Sequence, residues 1–508
     1  SISPESNTDT LVSIENVIGT IANDTIEGNG QYNTIDGKGG VNTLTFNSYD
    51  YSIKIDLNDE TKQIVYENGG NVDYYKISNM QNLIGTKYDD EVKAKNNESN
   101  NIDLGEGVDL FIGSEIDGEN IIDGNNGSDT IDYSNYTHKV VGTLDNDTLT
   151  TLTVTGLTNQ DDKVKNIENI ILGSGDDEIT GKLGSNKIEG RAGNDILKGG
   201  YGEDELLGGA DNDILDGGLG NDKLDGGSGI DEINYSAESE SLTLNMQVKD
   251  TEGWSTAQLN TQEDKIKDVE NITGSMSDDE IIMDEKDNIL DGFKGNDKLD
   301  GGLGDDIING GLGDDIVYIR DILDGNDTID GGADSVIGNT LSFEKITSQG
   351  VNIDLSTAVD VEGFISVNMS DGIATEVDKI KGFKNLIGTS KNDNFIGDSG
   401  DNNIEGRNGD DTLNGGLGDD TINGGEGSDT ISYSNTSEKN VVDLVLEIGK
   451  VGATEVDKLI SIENVTTGSS NDQIFAKDNQ SKNIFDGGDN IGDEINYSKY
   501  TTGVTVDL

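Results

Sequence analysis

From Gly181 to Asn234 an apolar residue returns at every ninth position, as Ile188, Leu197, Leu206, Leu215, Leu224 and Ile233, with mostly polar residues on either side. A single apolar residue between polar neighbours predicts a very short strand whose central side chain points inward. The same register returns over 292–318 and 397–432, and more weakly over 28–45 and 124–132. Between these blocks the alternation lengthens, as in YDYSIKIDL (49–57), FEKITSQGVNIDL (343–355), YSNTSEKNVVDL (433–444) and YSKYTTGVTVDL (497–508). Each longer stretch closes on a segment such as DTLVSIENVIGT (9–20), DKVKNIENIILGS (163–174), DKIKDVENITGS (264–275), DKIKGFKNLIGT (378–389) or DKLISIENVTTGS (457–469). The closing glycines, Gly19, Gly85, Gly173, Gly274, Gly388 and Gly468, are spaced by 66, 88, 101, 114 and 80 residues. A fixed order at irregular spacing means variable numbers of short units and loops of variable length.

The short units divide without remainder: GKLGSNKIE, GRAGNDILK, GGYGEDELL, GGADNDILD, GGLGNDKLD and GGSGIDEIN fill 181–234. Glycines at positions one, two and four permit the positive φ and close chain approach of a tight turn. One unit supplies a turn and a strand, and two units close one coil of a parallel roll. Stacked coils then align the loops of alternate units. Turn propensity explains the glycines but not an Asp confined to position six, where it offers a hard oxygen ligand. Gaps rimmed by carbonyls and carboxylates suit a six-to-eight-coordinate calcium better than magnesium, which gives up its waters reluctantly.

Composition sharpens this picture. The chain has 508 residues, 101 of them acidic against 34 basic, a formal charge of −67, 70 glycines and 31% hydrophobic residues. Such chains usually cannot bury enough apolar surface to offset the entropy of ordering, so another source of stability is needed. Cysteine is absent, which excludes a disulfide framework and thiolate metal sites. No apolar run is long enough to span a membrane, and no basic and apolar leader opens the chain. The acidity makes nucleic acid a poor partner and multivalent cations good ones.

The units match GGxGxDxUx and so resemble the calcium-binding parallel β-rolls of the RTX (repeats-in-toxin) family. The resemblance implies ligand sets of backbone oxygens at positions two and four with the position-six Asp. Complete sets are Gly200, Gly202 and Asp204; Gly209, Asp211 and Asp213; Gly218, Gly220 and Asp222; Gly227, Gly229 and Asp231; Gly302, Gly304 and Asp306; Gly311, Gly313 and Asp315; Gly416, Gly418 and Asp420; and Gly425, Gly427 and Asp429. Partial sets are Gly193 with Asp195, Gly295 with Asp297 and Gly409 with Asp411, and Asp129 and Asp177 stand at the same phase. Together these imply on the order of ten to twenty calcium ions. Asn33, Asn42, Asn186 and Asn402 replace the acid and should give weaker or absent sites.

The expected fold is all-β: one segmented parallel β-roll, or β-solenoid, of nonapeptide coils with β-strand inserts over 1–508. Roll blocks fall near 19–45, 85–132, 172–234, 274–332, 388–432 and 468–496. Inserts fall near 46–84, 133–171, 235–273, 333–387, 433–467 and 497–508, where alternating Val, Ile and Leu can bury one face without metal and cap and splice the rolls. Both ends fall within an insert, as expected of a piece of a longer array.

No catalytic constellation emerges. His138 is the single histidine and reads as a surface residue, and GDSGDN (397–402), which resembles a protease nucleophile loop, is already explained by the nonapeptide frame. Aromatic–Ser pairs such as Tyr133–Ser134, Tyr235–Ser236 and Tyr433–Ser434 should anchor the junctions between roll and insert, while Trp254 sits in a polar loop that could meet a partner or glycan. Weak calcium sites fill outside the cell and not in the cytosol, so the chain should fold after export, which the resemblance implies is by type I secretion. Three roles follow in order: an S-layer or cell-surface matrix subunit that associates with itself or with cell-surface glycan; the stalk of an adhesin; and the repeat region of a secreted toxin or hydrolase. None requires an enzyme in this chain.

Overall fold

The computed structural model of the chain describes residues 14–506, except 29–32, 60–62, 67–71, 117, 146–147, 321–324, 334–336, 368–376, 479–481, 490 and 502. Of the segments singled out above, residues 9–13, 29–32 and 507–508 lie outside the described residues. Every regular element described is a β-strand, and no helix long and apolar enough to cross a membrane occurs among the described residues. Two compact units are formed, one by Ser1–Ile233 with Gln262–Val269 and the other by Asn234–Thr261 with Glu270–Leu508.

In the first unit each nonapeptide contributes one strand, and strands eighteen residues apart pair in parallel. Lys187 faces Glu205, Ile188 faces Leu206 and Arg191 faces Gly209, and the next coil continues with Leu206 on Leu224 and Gly209 on Gly227. The alternate units build a second ladder with Leu197 on Leu215 and Gly200 on Gly218. Because the sequence is periodic, each of these rungs puts the position-eight apolar residue on another, and glycine meets glycine wherever both coils carry it at position two. The second unit repeats the arrangement, with Ile281 on Leu299, Leu299 on Val317, Phe395 on Leu413 and Leu413 on Ile431.

The core of a roll is made of the position-eight side chains of the two ladders: Ile188, Leu197, Leu206, Leu215, Leu224 and Ile233 are all 0% exposed. Burying one such side chain contributes about 1.5–3 kcal/mol, a small return for nine ordered residues. Positions seven and nine face outward, where Lys187 meets Glu205 at 3.2 Å and Lys198 meets Asp216 at 3.2 Å on neighbouring coils. Exposed pairs of this kind add little.

The inserts bring antiparallel pairing into the fold. Val140–Thr143 pairs antiparallel with Thr150–Val154, which pairs antiparallel with Asp162–Lys165. The two outer strands also run parallel to coil strands, with Gly142 on Ile179 and Val164 on Ile122. An insert is therefore a hairpin excursion spliced into the ladders, its outer strands occupying rungs of the roll. It recurs at Ile53–Asp56, Gln63–Tyr66 and Val72–Ser78, and in the second unit at Asn440–Asp443, Ile448–Val451 and Glu455–Ile460. Inserts also bring the large core residues: Tyr133 stacks on Tyr136 at 4.2 Å, and Phe46 meets Tyr75 edge-on at 5.5 Å.

Candidate metal centre

The turns that join successive strands stack main chain on main chain. Gly218 and Gly220 hold φ of 80° and 152°, a region side chains disfavour. A Cβ on Gly218 would lie 2.3 Å from the Gly200 carbonyl oxygen, and one on Gly220 would lie 1.4 Å from that of Gly202. Position-two and position-four carbonyl oxygens of one loop therefore lie against the next loop of the same stack.

The position-six aspartates form columns alongside these loops. The Asp195 amide donates to Asp213 Oδ1 at 2.8 Å, and the Asp213 amide donates to Asp231 Oδ1 at 2.8 Å. In the facing stack the Asp204 amide donates to Asp222 Oδ1 at 2.8 Å. The second unit repeats the pattern from Asp297 to Asp315 at 2.9 Å and from Asp411 to Asp429 at 2.9 Å. The Asp109 amide likewise donates to Asp129 Oδ1 at 2.9 Å, and the Asp177 amide to Asp195 Oδ1 at 2.7 Å. Asp306 and Asp420 are buried in the same way.

Oδ1 is thus satisfied by protein, and Oδ2 is not. The Oδ2 atoms of Asp129, Asp177, Asp195, Asp204, Asp213, Asp222, Asp297, Asp411, Asp420 and Asp429 are buried without a hydrogen-bond partner. Burying half a carboxylate unpaired is costly, and the protein raises these groups' affinity for protons instead. Burial pushes Asp195, Asp222 and Asp297 up to about 8, and Asp213, Asp411 and Asp420 up to about 7. Neighbouring aspartates in each column push in the same direction.

The donor set fits a hard cation: anionic oxygens with no protein partner, aligned with a stack of main-chain carbonyls. Among the described residues no three acidic side chains converge on one point, so such a cation would draw most of its ligands from the main chain. Position-one glycines, absent from the expected sets, also border the site: a Cβ on Gly208 would lie 2.4 Å from Asp213 Oδ2 and 2.6 Å from the Gly226 carbonyl oxygen. Asp211 accepts a 3.3 Å hydrogen bond from the Gly193 amide, so its side chain serves the loop beneath it. Where Asn stands at position six, its amide donates to main chain instead, from Asn186 to Glu168 O at 2.8 Å and from Asn402 to Lys384 O at 2.9 Å.

At the inserts the column ends on protein groups. The Asp420 amide donates to Asp457 Oδ1 at 3.1 Å, and the second oxygen of Asp457 accepts the Tyr433 hydroxyl at 2.7 Å. Tyr133 does the same for Asp162 at 2.5 Å. Two of the aromatic–Ser pairs thus anchor junctions through the tyrosine hydroxyl.

The remaining candidates do not assemble. His138 Nδ1 pairs with Glu115 at 2.9 Å on the surface. Gly400 and Asp398 bond within a roll turn, and Trp254 is a half-buried loop residue whose amide donates to Asp250 at 3.0 Å. A cavity of about 740 Å³ in the second unit is lined by Gln247, Asp284, Arg320 and Lys345. Two cations there are already committed, Arg320 to Asp300 at 2.6 Å and Lys249 to Asp284 at 3.3 Å.

A family model for the RTX calcium-binding nonapeptide repeat (4 copies) matches residues 15–48, 171–202, 198–233, 284–318, 323–335, 387–422 and 396–431. No curated protein matches the chain.

Proposed function

The nonapeptide coils are RTX calcium-binding repeats, and from that premise we propose that this chain is an extracellular structural protein, folded by calcium after export and assembling into an S-layer or cell-surface matrix. The observation that carries the calcium dependence is the column of buried, unpartnered Asp Oδ2 atoms. Calcium, when bound, supplies the positive charge these oxygens lack. The position-six aspartates and the position-two and position-four carbonyls of the same loops would hold it, on the order of ten to twenty ions per chain. Position-two glycines let the loops approach, and the Asp Oδ1 atoms tie each coil to the one before it. The Asn coils present a neutral oxygen and have spent their amide on main chain, so they should bind weakly or not at all.

Export follows from affinity. Extracellular modules bind calcium at about 10⁻⁴–10⁻³ M, so sites of that class stay empty in the cytosol and fill outside. An unfolded, highly charged chain suits a narrow secretion channel, and filling the sites outside couples metal binding to folding. The spliced hairpins support lateral assembly, because each adds strands beyond those the roll needs. The test is circular dichroism and sedimentation while calcium rises from chelator to about 10 mM, above the weak-site range. Gain of strand followed by sheet-like assembly supports the matrix reading. Gain of strand in a chain that stays an elongated monomer favours an adhesin stalk, and strand already complete in chelator contradicts the calcium reading.

A further inference from the structure

Not every position-six Asp is left with a bare oxygen, and in three buried coils the same residue accounts for it. Four places before the acid, at position two, Thr86, Ser275 and Thr389 stand where most coils have glycine. The Thr86 hydroxyl donates to Asp90 Oδ1 at 2.9 Å and its amide to Oδ2 at 2.7 Å. Ser275 donates to Asp279 in the same way at 2.7 and 2.6 Å, and Thr389 to Asp393 at 3.0 and 2.8 Å. Each carboxylate takes a third bond from the first strand of the adjoining insert, from the amides of Ile53, Leu242 and Val351 at 2.9, 2.7 and 2.8 Å. Both oxygens of these aspartates are therefore used by protein.

Two coils in the same place in the architecture supply the contrast. Asp177 and Asp472 also accept an insert-strand amide, from Val140 and Asn440, both at 2.7 Å. Their position-two residues are Gly173 and Gly468, which bring no hydroxyl; the Gly173 amide faces the Asp177 carboxylate, yet the Oδ2 atoms of both aspartates are buried without a hydrogen bond. Side chains are excluded there, since a Cβ would lie 2.0 Å from the Tyr136 carbonyl oxygen at Gly173 and 2.1 Å from that of Thr436 at Gly468.

We propose that the position-two residue selects how a coil's aspartate is neutralised: glycine leaves it to calcium, whereas Thr or Ser closes it internally. Asp90, Asp279 and Asp393 are then not calcium ligands, and their coils give each hairpin a metal-free seat from which the calcium-dependent coils continue. Asp177 and Asp472 take calcium at the same structural place. The selection works because a hydroxyl and an amide four residues before a carboxylate can bond both its oxygens without leaving the turn.

The inference rests on the calcium reading above, and its test separates the two. The full-length chain and its Thr86→Gly, Ser275→Gly, Thr389→Gly triple variant are dialysed against saturating calcium and their metal content measured. Amide exchange at Ile53, Leu242 and Val351 is followed in chelator. The triple variant should hold about three more calcium ions per chain, and the three amides should exchange about tenfold faster once the hydroxyl bonds are gone. The Thr86→Ser, Thr389→Ser variant, which keeps the hydroxyls, should match wild type in both readouts. Unchanged calcium content in the triple variant, or serine variants that behave like glycine ones, overturns the selector while leaving calcium binding intact. A wild-type chain that takes up no calcium overturns the calcium reading, and the selector with it.

Discussion

Two stretches of the first unit bury aspartates to the same depth and neutralise them by different means. Along 190–222 the roll offers Asp195, Asp204, Asp213 and Asp222 one protein donor each and leaves the second oxygen bare. In the adjoining insert, Asp162 is also fully buried, yet its second oxygen accepts the Tyr133 hydroxyl. The roll buries one apolar side chain in nine residues, while the insert buries Tyr133, Tyr136, Leu144, Leu152 and Val154 between residues 133 and 154. Where side chains large enough to build a core are present, protein groups satisfy the acids. Where the sequence is mostly glycine and acid, that task is left to a cation. On the calcium reading, metal dependence is then a local property of each coil.

The largest expected effect is on the metal-free chain as pH changes. Folding raises Asp195 and Asp222 from 3.8 to about 8 and Asp213 to about 7, so the folded state binds protons that the unfolded state releases. Their contribution to stability is complete below about pH 4 and is lost as pH rises through about 7–8. In chelator, the strand signal in circular dichroism should be stronger at about pH 5 than at about pH 9. In saturating calcium the trend reverses, because protons then compete with the metal. Equal folding at both pH values without metal would break the comparison between roll and insert.

Truncating the thin core comes next. Leu215→Ala in the calcium-loaded chain should cost about 2–5 kcal/mol in denaturant midpoint analysis, since so thin a core has few side chains to collapse into the gap. Asp213→Asn should remove one calcium per chain and weaken the cooperativity of the calcium titration by fluorescence or calorimetry, with little loss of structure at saturation. The smallest effect is expected at a junction. Tyr433→Phe leaves Asp457 Oδ2 without its donor and should cost about 1–3 kcal/mol, measurable with or without calcium. A Tyr433→Phe chain whose deficit vanishes when calcium is added would show that metal can replace the hydroxyl, and would blur the boundary between the two regions.

The roll could be read from sequence because its contacts are as periodic as its residues. Leu206 meets Leu224 and Gly200 meets Gly218 at a constant separation, so one unit reveals its neighbours. The position-six acids and the apolar position eight were readable for the same reason. The pairings within the inserts were not, because they join residues at separations that vary from one insert to the next. Nothing local in TLTV marks Thr150–Val154 as a strand antiparallel to both flanking ones, and nothing near Tyr133 marks Asp162, 29 residues on, as its partner. The Thr and Ser at position two were visible as departures from glycine. Their role emerged only with the carboxylate geometry, since a missing glycine alone indicates just a weaker turn.

The most direct test is hydrogen exchange on the full chain, with calcium and in chelator at about pH 8, following Leu206 and Leu215 in the roll and Leu152 and Val164 in the insert. Calcium should slow exchange at the roll amides by orders of magnitude and at the insert amides by much less. Roll amides equally protected in chelator would contradict the claim that a bound cation takes the place of the core these coils lack.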